Sequence, residues 1–458
     1  MRIIRAGFIL LAAASLTVVA SCGKDEQEAQ KFDRADVVGF KRDMSDVSSF
    51  RLANGITVYM QEERTDQQVA VEVLYRSGYT NDPKGKVQLA HLTEHMAIHC
   101  GMGEYAPGES YKSVTTDKGM LNAEAASDFI HIDYIVHNSR LEHALSVEAD
   151  RLRGINCDDQ TLRDQKKNVI DEFDRTLSDP RGVLTRFGLI ALCQIGFGQT
   201  HVPISAGVAN LTVEDVERFH ASYYRPDDMV MILIGNFQKA EAEALVRKHF
   251  ESIPARPTPS LPPLDLKRST RATWDINGNG IYYIAPGPFE TFREQIVLAM
   301  FGAYFAQVLN TAQDVFSVCQ TTYCSNQVYR VGRVPFFIFA QPKPGVASTE
   351  VTPVIFSHLE QVLGALDDRR VESIKTGMVS FVNTSMLKPD VADYPLMHHQ
   401  VIGQEALNIG IKHILRDGRT VEEFTSEIQS ITPDEVRAVL NRHLARSAMI
   451  EIDIAPRL

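Results

Sequence analysis

The sequence predicts an α+β fold of two homologous domains in tandem, each an antiparallel-rich sheet packed with helices on one face. Three observations carry this. Segments of alternating apolar residues are followed by runs with helical spacing. The stretch "LTVEDVERFHASYYRPDDMVMILIG" from Leu211 is echoed by "ITPDEVRAVLNRHLARSAMIEIDIA" from Ile431, with Thr212/Thr432, Val216/Val436, Met229/Met449 and Ile232/Ile452 in register. Each copy reads as a helix capped by threonine and followed by a strand, so a duplication of a large unit fits better than a short-repeat array. Between the copies, "SIPARPTPSLPPLDLKRST" holds five prolines from Pro254 to Pro263 and no period, as an extended linker does.

At 458 residues the chain suits two domains better than one core. It is 44% hydrophobic and 23% charged, an ordinary balance for a folded protein. A net charge of −11 with no long basic block argues against nucleic acid and leaves peptides, proteins and small molecules as partners.

Residues 1–21 begin "MRIIRAGFILLAAASLTVVAS", two arginines ahead of an apolar run too short to span a membrane. This is the build of an export signal. "VASC" resembles the bacterial lipobox, which makes Cys22 the lipidated first residue of the mature chain; an ordinary signal with a coincidental cysteine is the plainer alternative. A lipid anchor at Cys22 places the protein at a bacterial outer membrane, on its periplasmic or cell-surface side. Residues 22–47 read as a polar tether.

Patterning begins near residue 48. "GITVYM" and "VAVEVLY" alternate as half-buried strands, with Val69, Val71, Val73 and Tyr75 on one face. After the turn-rich "SGYTNDPKGK", residues 88–96 take helical spacing. "FIHIDYIV" is a further strand, and helices are expected over 139–152 and 160–177. The domains are therefore 48–253 and 271–458, with a linker at 254–270. Cys100, Cys157, Cys193, Cys319 and Cys324 follow the anchor cysteine. An odd number leaves at least one unpaired or pairing outside the chain, apolar surroundings at Cys100, Cys193 and Cys319 suggest buried thiols, a short Cys319–Cys324 bridge is an option, and no disulfide framework is expected.

The chemistry lies in "HLTEH". Residues three and four apart share a helical face, so His91 and His95 can grip one cation while Glu94 stands beside it. A hydrolytic zinc takes three protein ligands and leaves one position open. H-x-x-E-H is the reverse of H-E-x-x-H and is the inverzincin pattern. A helix with surface His and Glu, or a structural metal pair, fits the five letters too.

"HLTEHM" after strands and a turn-rich loop resembles the pitrilysin, insulinase and mitochondrial-processing-peptidase family of zinc metallopeptidases. The resemblance spans the chain after residue 48. It implies a third ligand about eighty residues on, where "QKKNVIDEFDR" supplies Glu172. It implies one zinc per chain, with Glu94 as the base that activates water. It places Asn122 and Ala123 of "LNAEAASDF" on an edge strand that pairs with an extended peptide substrate. Two departures stand out. The family's Arg and Tyr, seven residues apart, correspond to Phe316 and Tyr323, so only the tyrosine can donate to a developing oxyanion. Gln165 stands where the metal helix usually has a supporting glutamate.

The second half has plain apolar "QIVLAMFGAYFAQ" in place of a metal motif. In the family it resembles, four such domains enclose a chamber, so the resemblance implies that this two-domain chain, with its one metal site, forms a homo- or heterodimer with a related chain. His131 is expected to be a satisfied strand residue, and His99 a helix-end residue rather than a fourth ligand. The function expected is hydrolysis of unfolded peptides or small proteins by metal-activated water. The alternatives are a weakly active or non-catalytic peptide-binding subunit, favoured by Phe316 and Gln165, and a solute-binding lipoprotein with a closed, four-ligand structural zinc.

Overall fold

The computed structural model describes residues 47–83, 85–126, 129–178, 204–256, 280–285, 291–325, 336–384, 398–415 and 418–454, with single positions 259, 287 and 289. The signal, Cys22, most of the tether and linker, and Cys193 lie outside the described residues. Among the described residues no helix is long and apolar enough to cross a membrane.

The first domain is built on six strands: β1 Ser48–Arg51, β2 Thr57–Glu62, β3 Gln68–Tyr75, β4 Met120–Ala125, β5 Ile130–His137 and β6 Met229–Gly235. Their order is β1-β2-β6-β3-β5-β4, antiparallel except for the β2–β6 pair. The second sheet is β7 Gly280–Ala285, β8 Cys319–Cys324, β9 Phe336–Pro342 and β10 Ile450–Ile454, in the order β10-β7-β9-β8, all antiparallel. That order repeats β6-β3-β5-β4 of the first sheet. The helix Phe292–Leu309 between β7 and β8 occupies the place that Leu89–His99 holds between β3 and β4.

The duplicated segment is present in both halves. Thr212 caps Val213–Tyr223 and Thr432 caps Pro433–His443, each in a reciprocal capping box, and each helix leads to the strand beside β3 or β7. An acid three residues after the cap closes the box, which is why both copies start their helix at the same point.

Val69, Val71, Val73 and Tyr75 do share a face and belong to one apolar cluster with Leu92 and Met96 of the Leu89–His99 helix and with Leu145. The strand is not half-buried, however. Ala70 and Leu74 point the other way, under Ile402, Ala406 and Ile409 of His398–Leu415, a helix from the second half of the chain. The second sheet is likewise enclosed. Tyr283 and Ile338 face its own helices, while Tyr282, Ile284, Phe337 and Phe339 join the apolar cluster of the first domain. Alternation along a strand separates its two faces without saying whether the second meets water.

The helices expected at 139–152 and 160–177 are Leu141–Arg153 and Asp159–Ser178. The cysteines need correction. Cys100 and Cys157 form a disulfide, whereas Cys319 and Cys324 are buried free thiols. The latter two end one strand, β8. Five residues of extended chain hold Cα atoms roughly 16 Å apart, far beyond the 7 Å or so a bridge allows.

Candidate metal centre

The Leu89–His99 helix is fixed at both ends. At its start the buried Asp82 carboxylate accepts the Ala90 N–H at 2.7 Å and also faces the Gln88 and Leu89 amides, doing from the preceding turn what a cap residue does. At its end Arg151 Nε donates to the Ala97 carbonyl at 2.9 Å. Arg151 is fully buried and paired with Glu148, whose carboxylate also accepts the Tyr75 hydroxyl at 2.6 Å and the Tyr134 hydroxyl at 2.5 Å. Two charges can stay buried there because each is paired and hydrogen-bonded.

Helical spacing sets His91 and His95 on one face, ring centroids 4.9 Å apart. The Asp159–Ser178 helix packs beside them and delivers Glu172, 81 residues after His91 in the chain. Three donor atoms converge. The His91 and His95 Nε2 atoms are 3.3 Å apart, and Glu172 Oε2 is 3.3 Å from the His95 atom and 3.5 Å from the His91 atom. Zinc bonds of about 2.0–2.1 Å at tetrahedral angles require donors about 3.3–3.4 Å apart, so the triangle fits such an ion. Glu94 Oε2 stands further back, 3.9 and 4.0 Å from the two Nε2 atoms, beside the triangle and outside ligand spacing.

The far sides of both rings support the same reading. His91 Nδ1 donates to Gln88 Oε1 at 2.9 Å, and His95 Nδ1 donates to Gln165 Oε1 at 3.2 Å. A proton on each Nδ1 leaves both Nε2 lone pairs aimed at one point, which is repulsive unless a cation or proton sits there. Gln165 thus meets His95 through its amide oxygen. Gln88 was missed by sequence reasoning. It reaches His91 by adopting left-handed backbone (φ 65°), which a non-glycine residue does at some cost and which no local motif announces.

Charge follows from this geometry. Burial disfavours the His95 cation, but Glu94 and Glu172 facing it outweigh that and raise its pKa to about 9. Hydrogen bonds from His91 and His95 hold the Glu172 carboxyl well below the usual carboxylate range. Burial pushes Glu94 upward against the pull of the two histidines. A divalent cation would take the place of the proton that His95 otherwise holds.

Ala123 and Asn122 sit on β4, the last strand of its sheet, paired only with β5 among the described residues. Ala123 packs into the core that holds the metal helix, while the Asn122 amide donates to Asp133 at 3.3 Å on the opposite face. Asn122 thus turns its side chain away from the metal helix. Tyr323 lies on β8, the matching edge of the second sheet, with its ring 5.6 Å from Phe337. Phe316 is 49% exposed on the short helix Gln313–Val318. No hydrogen bond joins Tyr323 to the metal cluster among the described residues. His131 is a satisfied strand residue, its Nδ1 2.9 Å from the buried Glu72 carboxylate. His99 is not part of the triangle and packs near Tyr111.

Residues 210–378 match the family model described as "Peptidase M16 inactive domain", a stretch that begins after Glu172. The zinc protease PqqE of Helicobacter pylori is 23% identical over 413 residues, covering 84% of this chain and 91% of that protein. Insulin-degrading enzyme of Mus musculus is 22% identical over 247 residues, 49% of this chain and 23% of that one. The crystal structure of a protease from Helicobacter pylori superposes with a TM-score of 0.64 at 18% identity, covering 90% of this chain and 99% of that chain.

Proposed function

Because this chain belongs to the M16 peptidases, the pitrilysin and insulinase family, we propose that it is a zinc-dependent endopeptidase acting on unfolded peptides. The observation that carries this is the donor triangle of His91, His95 and Glu172 at zinc spacing, with Glu94 set just outside it. Zinc bound there supplies a Lewis acid that brings the pKa of water toward about 7.

The remaining steps belong to the chain's own groups. Glu94, raised by burial, takes the proton of the attacking water and returns it to the leaving amine. Gln88 and Gln165 hold the two imidazoles with their Nε2 atoms inward. The open edge of β4 at Asn122 and Ala123 pairs with the substrate backbone, which admits peptides of varied sequence. The Asn122 amide is engaged with Asp133, so that strand's backbone would bind the peptide. Tyr323 is the proposed donor to the oxyanion. Phe316 cannot donate, so a related second chain in a homo- or heterodimer is proposed to supply the missing cation. Cys22 is the proposed lipid anchor, at the outer membrane.

A second reading is a weakly active or non-catalytic partner subunit. The match of 210–378 to an inactive-domain model and the exposed Phe316 favour it. Removal and return of metal tests the main reading. Cleavage of a quenched unfolded-peptide library should stop when a chelator strips the mature chain and return with one equivalent of zinc. Cleavage that persists without metal overturns the zinc mechanism. Zinc uptake with no cleavage, until a related chain is added, favours the partner reading.

A further inference from the structure

The two helices that carry the candidate ligands are joined covalently at their near ends. Cys100 directly follows Leu89–His99, and Cys157 lies two residues before Asp159–Ser178. Their disulfide brings Cα atoms 57 residues apart in sequence to within 4.8 Å. Next to it Gly101 and Asn156 form a lone antiparallel bridge, with N–H···O bonds of 3.0 and 2.7 Å in the two directions.

Little slack separates this junction from the ligands. The Cys100 N–H closes its helix by donating to the Met96 carbonyl at 2.7 Å, and Asp158 caps the other helix through the Thr161 N–H at 2.7 Å. Each helix runs unbroken from the junction to its ligand, His95 on one and Glu172 on the other. Elsewhere along the Asp159–Ser178 helix, Lys166 Nζ donates to the Ala209 carbonyl at 2.8 Å and Ile170 and Phe173 pack against the core. Leu162, Gln165 and Val169 are buried, while most of the charged residues around them face solvent. Yet Glu172 must reach the two imidazoles to within a few tenths of an ångström for all three donors to share one ion.

We propose that Cys100–Cys157 is a positioning element of the metal centre, setting the Glu172 helix against the His91–His95 helix so that cleaving the bond weakens cation binding. This rests on the zinc reading above. With a dithiol reductant the balance is simple. The reductant closes to its own disulfide, and Cys100 and Cys157 each take up one electron and one proton to become thiols. The oxidation state of a bound zinc ion does not change.

The test uses the full-length chain. Alkylation without reductant, followed by peptide mass mapping, should leave Cys100 and Cys157 unlabelled. Zinc affinity is then read by competition with a chromophoric chelator for the oxidised chain, the dithiol-reduced chain and Cys100→Ala/Cys157→Ala. All three are held at a temperature where far-UV circular dichroism shows each folded. Reduction and the double substitution should each weaken zinc binding by about 10–100-fold. Reoxidation should restore the reduced chain, leaving the double variant weak. A bond that serves only general stability would lower the melting temperature and leave affinity unmoved. Affinities within twofold of one another, or labelling of both cysteines in the unreduced chain, overturn the proposal. Failure of the oxidised chain to bind zinc overturns the metal reading itself, and the staple's role with it.

Discussion

Gln165 offers a graded test of how the centre is held. It is buried, and its Oε1 accepts from His95 Nδ1 at 3.2 Å and from Asn168 Nδ2 at 3.1 Å. Gln165→Leu keeps the bulk but leaves the His95 N–H without an acceptor in a place that water reaches poorly. An unmade buried hydrogen bond costs about 1–3 kcal/mol, and the freed imidazole can also turn its Nε2 away from the ion. Zinc affinity should therefore fall by about 10–100-fold, the usual cost of losing such a support. Gln165→Glu is expected to act in the opposite direction. It keeps an acceptor at the same place and makes the bond charge-assisted, about twice as strong, which raises the basicity of His95 toward zinc. Chelator competition on the two variants and the parent chain, with circular dichroism to confirm folding, gives the three affinities. Binding by Gln165→Leu within twofold of the parent would refute the reasoning, as would Gln165→Glu binding more weakly than Gln165→Leu.

Acidity should act on zinc and on the metal-free fold with opposite signs. Because His95 is raised to about 9 when no metal is bound, zinc must displace a proton there. Apparent affinity should therefore rise by about tenfold per pH unit from neutrality toward 9 and then flatten, as titration of chelator competition would show. In the metal-free chain the raised pKa contributes stability that is full below the unfolded value of 6.5 and lost as pH climbs through about 9, a trend that urea melts can follow. Arg151→Met leaves Glu148 charged and buried without its partner, and should cost about 3–5 kcal/mol by urea denaturation. Gly410 tests the helix that crosses from the second half of the chain. A Cβ there would come within 2.1 Å of Leu74 Cδ1 and 3.0 Å of Ile232 Cδ1, so Gly410→Leu should destabilise by about 1–3 kcal/mol in the same assay.

The donor triangle was legible in part because the spacing of two of its members is local. Helix geometry places His91 and His95 together from sequence alone, and the family resemblance supplied the one long-range member, Glu172. The duplication was legible for a similar reason. Thr212 and Thr432 with their trailing acids carry a capping signal that survives divergence, and the order β10-β7-β9-β8 repeats that of four strands in the first sheet. What stayed hidden depends on packing between distant segments. Cys100 sits in an apolar context like that of the free Cys319 while Cys157 precedes two aspartates, and only the arrangement of two helices brings them together. The covering of β3 by His398–Leu415 left no mark on the alternation of β3, because Ala70 and Leu74 are small or apolar whichever side they face. Gln88 supports His91 through a backbone conformation that its residue type does not suggest.

The most direct measurement is of Glu94→Gln beside the parent chain, with zinc content by elemental analysis and peptide cleavage on the same samples. Glu94 Oε2 lies outside ligand spacing, so the variant should retain one zinc per chain. It should lose cleavage by about 10²–10⁴-fold, the usual contribution of a general base. A variant that cleaves as fast as the parent, or one that loses its zinc, would contradict the separation of ligand and base on which the proposed chemistry depends.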